Sequence, residues 1–151
     1  MTVMRVSRFL MLSCICIASI TACSVSDLIT ERIPPPEPAE KGIRFLYDNP
    51  AAREVYIAGQ FNGWAHDESD RKLLKMKKND KDVWEYLLPF REYADTHKND
   101  KGILISDVYV EHGNRYQYKI VVDRNSWILD PNNRNQVDDG TGNLNSLLIV
   151  P

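Results

Sequence analysis

Gly59-Gln60-Phe61-Asn62-Gly63-Trp64 follows the apolar run Val55-Tyr56-Ile57-Ala58 and ends in a tryptophan just past an Asn-Gly pair. Asn-Gly is the dipeptide that most readily takes positive φ at two successive positions, so the stretch is expected to be a tight turn closing a strand. A tryptophan at that point sits on the lip of a sheet, with part of its ring facing water. Two readings of Trp64 are open. It either folds back as a lid on the core or offers a platform on which a flat, partly apolar ring such as a sugar can stack.

On both sides of this turn the chain is a series of short strand-like runs. They are Ile43 to Tyr47, Glu54 to Ala58, Leu73 to Met76, Val83 to Leu88, Ile103 to Glu111, Tyr116 to Asp123, Trp127 to Leu129 and Leu147 to Val150. Turn residues punctuate them: Asp48-Asn49-Pro50, Lys77 to Asp82, His112-Gly113-Asn114 and Asp130-Pro131. The lysines of the 77–82 turn are interleaved with acids, which reads as a solvated hairpin tip and not as a nucleic-acid patch. Trp84 alternates in register with Tyr86 and Leu88 and is assigned to the core. No window sustains a 3.6-residue apolar period. The pattern predicts an all-β, antiparallel sandwich of immunoglobulin-like (E-set) type.

The amino terminus reads as a targeting segment. Arg5 and Arg8 precede an uncharged apolar run from Phe9 to Ile20. That is about a dozen residues, against the roughly 20 a helix needs to span a bilayer. Ile20-Thr21-Ala22-Cys23 resembles the lipobox of bacterial lipoproteins. The resemblance implies cleavage after residue 22, lipidation of Cys23 and location in the bacterial cell envelope, with Ser24 pointing to the outer membrane. A plain signal peptide or an uncleaved anchor is the alternative. Under the lipoprotein reading Cys14 and Cys16 leave with the signal, so no free thiol remains for a disulfide, a metal or catalysis. The whole chain carries 19 Lys+Arg against 21 Asp+Glu. Losing Arg5 and Arg8 leaves 17 against 21, a mild net charge of −4. Such a balance excludes a nucleic-acid-binding field.

Residues 23–41 are expected to be a tether, because Ile33-Pro34-Pro35-Pro36-Glu37-Pro38 fixes φ and removes backbone donors. At about 3.1 Å per residue it would reach roughly 55 Å from the bilayer. The folded domain is placed at 42–151.

Five pieces read in order make the fold specific. They are Gly59 to Trp64, Val83-Trp84-Glu85-Tyr86, Tyr116 to Asp123, Trp127-Ile128-Leu129-Asp130-Pro131, and Gly142 to Val150. Together they resemble the glycogen-binding (family 48) carbohydrate-binding module, found in the β subunit of AMP-activated protein kinase and at the front of branching and debranching enzymes. The resemblance covers roughly residues 41–150. In glucan-binding members two tryptophans stack on sugar rings, and a lysine and an asparagine bond the hydroxyls. Those positions here are Trp64, Trp127, Lys119 and Asn145. Where the family has an apolar residue and then a threonine before the last strand, this chain has Thr141 and Asn143, both able to hydrogen-bond a sugar.

The residues themselves are compatible with that assignment. A glucose C–H face packs on an indole, and hydroxyls facing the protein need ammonium or amide partners. If Tyr118, Ile120 and Val122 face the core, Gln117 and Lys119 face outward together. Taken alone, Lys119 is simply a solvated strand residue, and Trp127 divides between core and surface. The segment 91–114 is much longer than the family's turn. It could extend the sheet, cover the site or present a partner surface.

No enzyme is expected. A domain of about 110 residues is far smaller than the barrel of roughly 250 that relatives append for glycoside chemistry. His66, His97 and His112 lack metal-type spacing. The adjacent carboxylates Asp138-Asp139 precede Gly140-Thr141-Gly142, so a turn explains them. No nucleophile motif or phosphate loop is present, and no cofactor or metal is implied. The expected partners are an α-glucan or related oligosaccharide and the membrane through lipidated Cys23. The alternative function is an envelope adaptor or assembly subunit that uses the same fold for protein contacts.

Overall fold

A computed structural model describes residues 32–151. The expected signal peptide, lipobox-like stretch, Cys23 and the first part of the expected tether lie outside the described residues. Two antiparallel sheets face each other. One has the order β1 (Glu37–Ala39), β2 (Gly42–Tyr47), β6 (Trp84–Pro89), β5 (Lys77–Lys78). The other has the order β4 (Leu74–Lys75), β3 (Val55–Gly59), β7 (Arg115–Val122), β10 (Leu144–Ile149), β9 (Gln136–Asp138), with β8 (Ser126–Ile128) also paired to β7. This is the expected immunoglobulin-like sandwich.

The core lies between the sheets and follows the two-residue period of each strand. Ile43, Phe45 and Tyr47 of β2 meet Val55 and Ile57 of β3 and Tyr118, Ile120 and Val122 of β7. Trp84 is buried among them as expected, its Nε1–H donating to the Asn49 carbonyl at 3.0 Å. Strand β3, however, is buried on both faces. Its outward residues Tyr56 and Ala58 join Leu73 and Val121 in a second apolar cluster on the outside of the six-stranded sheet, with Trp64 packed against it.

Three expectations are corrected. The tether does not run free to residue 41, because Glu37, Pro38 and Ala39 pair with Arg44, Ile43 and Gly42. Pro38 is tolerated because β1 is an edge strand, where a missing N–H costs no ladder bond. The segment Ile103 to Glu111 is not a strand. Val108 N–H donates to the Ile105 carbonyl at 2.9 Å and turns the run back on itself. Only isolated bridges remain, Lys98 to Leu104 and Phe90 to Val110. Its apolar residues divide accordingly: Ile105, Val108 and Val110 are fully buried, while Ile103 and Leu104 are exposed. The insert therefore does not extend the sheet. Finally, β5 and β9 were not anticipated, since both are short and polar. The expected hairpin tip between β5 and β6 does form, with the Asn79 side chain accepting from Lys81 and Val83 N–H at 3.0 and 3.1 Å.

A buried polar knot holds the six-stranded sheet from inside. Tyr118 Oη donates to Asp130 Oδ2 at 2.7 Å, Asn133 Nδ2 donates to Tyr118 Oη at 3.0 Å, and Asp130 N–H donates to Ser146 Oγ at 2.8 Å. Burial raises the Asp130 carboxyl above its ordinary value, while the Tyr118 hydroxyl opposes that shift. Tyr118→Phe leaves a buried carboxylate one donor short, which is expected to cost about 1–3 kcal/mol at pH 7. A raised folded pKa means the protonated state is the better tolerated one. The cost should therefore shrink as pH falls through the Asp130 pKa and grow as pH rises. Urea unfolding at pH 4.5 and 7 checks this, and equal losses at both pH values would contradict it.

Candidate functional site

The turn after β3 is built by its own residues. Gly59 has no room for a side chain, since a Cβ would lie 2.7 Å from the Gln117 carbonyl oxygen and 2.8 Å from Tyr118 Cβ. Gln60 to Asn62 form one 3-10 turn. Gln60 Oε1 accepts Gln117 N–H at 2.8 Å, fastening the turn to β7. Phe61 drops into the core, 6.4 Å from Phe45 and 6.1 Å from Tyr116 between ring centroids.

Asn62 is almost fully buried, and its amide is saturated. Oδ1 accepts Gly59 N–H at 2.9 Å, and Nδ2 donates to the carbonyls of Ile57 (3.1 Å) and Lys72 (3.2 Å). The two successive positive-φ positions expected from Asn-Gly do occur, but one residue later, at Gly63 (φ 66°) and Trp64 (φ 62°). Asn62 cannot occupy one of them because its side chain serves as an internal clamp. A tryptophan in the left-handed region carries a backbone cost of order 1–3 kcal/mol, which persists only where the surroundings impose it. Here Trp64 N–H closes back on the Gly59 carbonyl at 2.9 Å.

That conformation lays the Trp64 indole on Tyr56, Ala58, Leu73 and Val121, half-buried. Strand register supplies the rest of the surface. Trp127 of β8 lies opposite Val121 on the outer face, with 37% of its surface exposed. The two indoles stand 6.5 Å apart between centroids, with their planes at 39°. His66 meets Trp127 edge-on at 4.9 Å, held by a 3.0 Å contact from its Nδ1 to the Trp64 carbonyl. Two and four residues before Val121, Lys119 and Gln117 share its face. Asn145 of β10 donates from Nδ2 to Gln117 Oε1 at 2.8 Å.

The result is a shallow depression of ≈ 430 Å³ lined by Gln60, Trp64, Gln117, Lys119, Trp127, Asp139 and Asn145. Volume does not distinguish it, because depressions of ≈ 360, 450 and 340 Å³ open elsewhere. Its chemistry does, with two tilted indoles beside an ammonium and several amides.

Of the residues singled out from sequence, Trp64, Lys119, Trp127 and Asn145 are brought together. Thr141 and Asn143 are not part of the lining. Asn143 Nδ2 donates to Thr141 Oγ1 at 3.0 Å, and Thr141 Oγ1 donates to Asp139 Oδ1 at 2.7 Å. The hydroxyl and backbone N–H of Thr141 hold the Asp139 carboxyl below the usual carboxylate range. Their side chains thus shape the loop that presents Asp139. Gln60 and Asp139 were missed. Gln60 carries no signal because its role depends on β7 lying beside it, and Asp139 read as a turn residue. His66 was weighed only as a metal ligand. Among the described residues no group of three His, Cys, Asp or Glu side chains is placed to hold a metal.

The family model described as carbohydrate-binding module 48 (isoamylase N-terminal domain) matches residues 34–133. The matched span starts just before β1, takes in Trp64, Lys119 and Trp127, and ends before Asp139 and Asn145. A comparison with curated proteins gives no match. With the match covering well over half of the 151 residues, the chain belongs to the carbohydrate-binding module 48 (isoamylase N-terminal domain) family.

Proposed function

We propose that this chain is a non-catalytic module that holds an α-glucan chain on the outer face of its six-stranded sheet, and that lipidated Cys23 tethers it in the bacterial envelope. The observation that carries the sugar reading is the pair of indoles at 6.5 Å and 39° beside Lys119 and Asn145. Two platforms tilted against each other suit a curved glucan, whose successive rings change orientation, better than a flat ribbon. The Lys119 ammonium makes no ion pair or hydrogen bond among the described residues, so its donors are available to hydroxyls. Asn145 keeps one donor and its carbonyl beyond the bond to Gln117.

Titration of the whole chain with maltoheptaose tests this reading by intrinsic fluorescence. Two of the three tryptophans line the groove, and Trp84 is buried away from it. The expected result is a saturable change at up to millimolar sugar. A flat titration with the fold intact would reject glucan binding and leave the adaptor reading. For the anchor, Cys23→Ala is expected to move the protein from the membrane fraction to the soluble one. Two or three acyl chains at roughly 0.8 kcal/mol per buried CH₂ would hold the protein to a membrane far better than one. Persistence of the variant in membranes would refute lipidation as the tether.

A further inference from the structure

The 91–114 insert does not line the groove but contacts the loop that follows Trp64. Its base is fixed in the core by Ile105, Val108 and Val110. His97 ties its two limbs together. Tyr86 Oη and His97 Nε2 are 2.7 Å apart, and His97 Nδ1 lies 3.0 Å from the Val108 carbonyl. From this base the insert projects polar groups onto residues 68–72, the far end of the loop that begins at Trp64.

Asn99 is a buried pin. Its Nδ2 donates to the Arg71 carbonyl at 2.9 Å, while its Oδ1 accepts Lys101 and Ile103 N–H at 3.0 and 2.9 Å. Asp107 takes Arg71 in a bidentate grip at 3.0 and 2.7 Å and Lys72 Nζ at 2.8 Å. Lys101 Nζ donates to the Glu68 carbonyl at 2.6 Å. On its other side, the same loop is bonded to Asn62 through the Lys72 carbonyl.

Immediately after these contacts comes Leu73, which packs under Trp64 in the outer apolar cluster. The loop is thus gripped at residues 68, 71 and 72, and its two ends, Trp64 and Leu73, lie against each other. Ion pairs this exposed contribute little stability singly, but bidentate pairs fix geometry. Four separate polar contacts onto one stretch of five residues exceed what covering a core edge requires.

We infer that the insert is a strut that sets the position of the Trp64 ring in the groove, with Asn99 and Asp107 as its positioning residues. The inference rests on the sugar-binding reading, and its first readout is independent of any sugar. Indoles as close as Trp64 and Trp127 couple in the near-ultraviolet circular dichroism. Slackening the loop should therefore change that spectrum in the ligand-free whole chain.

Asn99→Ala and Asp107→Ala are expected to change it and to weaken maltoheptaose binding roughly tenfold, with Asp107→Glu restoring both. Arg91→Ala is the control. It removes an ion pair to Glu111 at 2.7 Å that lies within the insert and away from the loop. Spectrum and affinity should then stay within about twofold of wild type. If both loop-facing variants fold and keep the wild-type spectrum, the strut is refuted. Should the wild type bind no maltoheptaose, the proposed function falls, while the spectral comparison still decides the strut. Should Asn99→Ala not fold, the partly exposed Asp107→Ala decides.

Discussion

Trp127→Ala is expected to remove detectable α-glucan binding while leaving the sandwich folded. Packing one glucose face on the indole hides roughly 100 Å² of apolar surface, which at about 25 cal/mol per Å² contributes about 2.5 kcal/mol. That corresponds to a loss of roughly 60- to 70-fold in affinity, enough to carry a millimolar binder out of the measurable range. The side chain lies on the outer face and contacts Trp64 and His66 above the sheet. Its removal should lower stability by no more than about 1 kcal/mol, the usual effect of a partly exposed position. Calorimetric titration with maltoheptaose and urea unfolding of the same sample check both halves. Binding at wild-type strength would remove Trp127 from the platform.

Asn62→Ala is expected to give a loss of stability as large as that of truncating a buried aromatic side chain. The substitution strips the Gly59 N–H and the Ile57 and Lys72 carbonyls of their bonds to the buried amide. An unsatisfied buried group costs about 1–3 kcal/mol, so the combined loss should be roughly 3–5 kcal/mol, a large part of the total stability of an ordinary domain. The affected bonds also anchor the turn that precedes Trp64 and, through the Lys72 carbonyl, the end of the 65–73 loop, so the Trp64 environment should change with them. Asn62→Asp is no rescue. It keeps the acceptor for Gly59 but sets a carboxylate against two carbonyl oxygens. Unfolding midpoints and tryptophan emission measure the effect, and a loss below about 1 kcal/mol would show that water replaces the amide.

The two variants act at different levels. Asn62 belongs to the fold and reaches the site only through the turn it holds. Trp127 belongs to the site and scarcely touches the fold. Trp64 does both, since it caps Tyr56 and Leu73 while offering its ring to solvent. Packing over that cluster thus leaves part of the ring exposed, so a lid and a platform are compatible in this geometry.

The sandwich and most of its strands were determined by the sequence alone. Two-residue apolar alternation and turn dipeptides are local signals, and they act within a few residues of themselves. They placed Ile43 to Tyr47, Val55 to Ala58, Trp84 to Leu88 and the strand around Tyr118 without any long-range knowledge. The five ordered motifs likewise identified Trp64, Lys119, Trp127 and Asn145 as one set. Tertiary structure alone decided the remainder. That β3 is buried on both faces follows from Trp64 folding over Tyr56 and Ala58. Pairing with Gly42, Ile43 and Arg44 turned part of the proline-rich segment into an edge strand. Ile103 to Glu111 has strand-like composition, yet it is folded by contacts such as Asp107 to Arg71, which are 36 residues apart in the chain. Thr141 and Asn143 were drawn into their own loop by Asp139. Local patterns dictate which residues form strands, whereas the partners of polar side chains depend on what lies beside them after the sheets close.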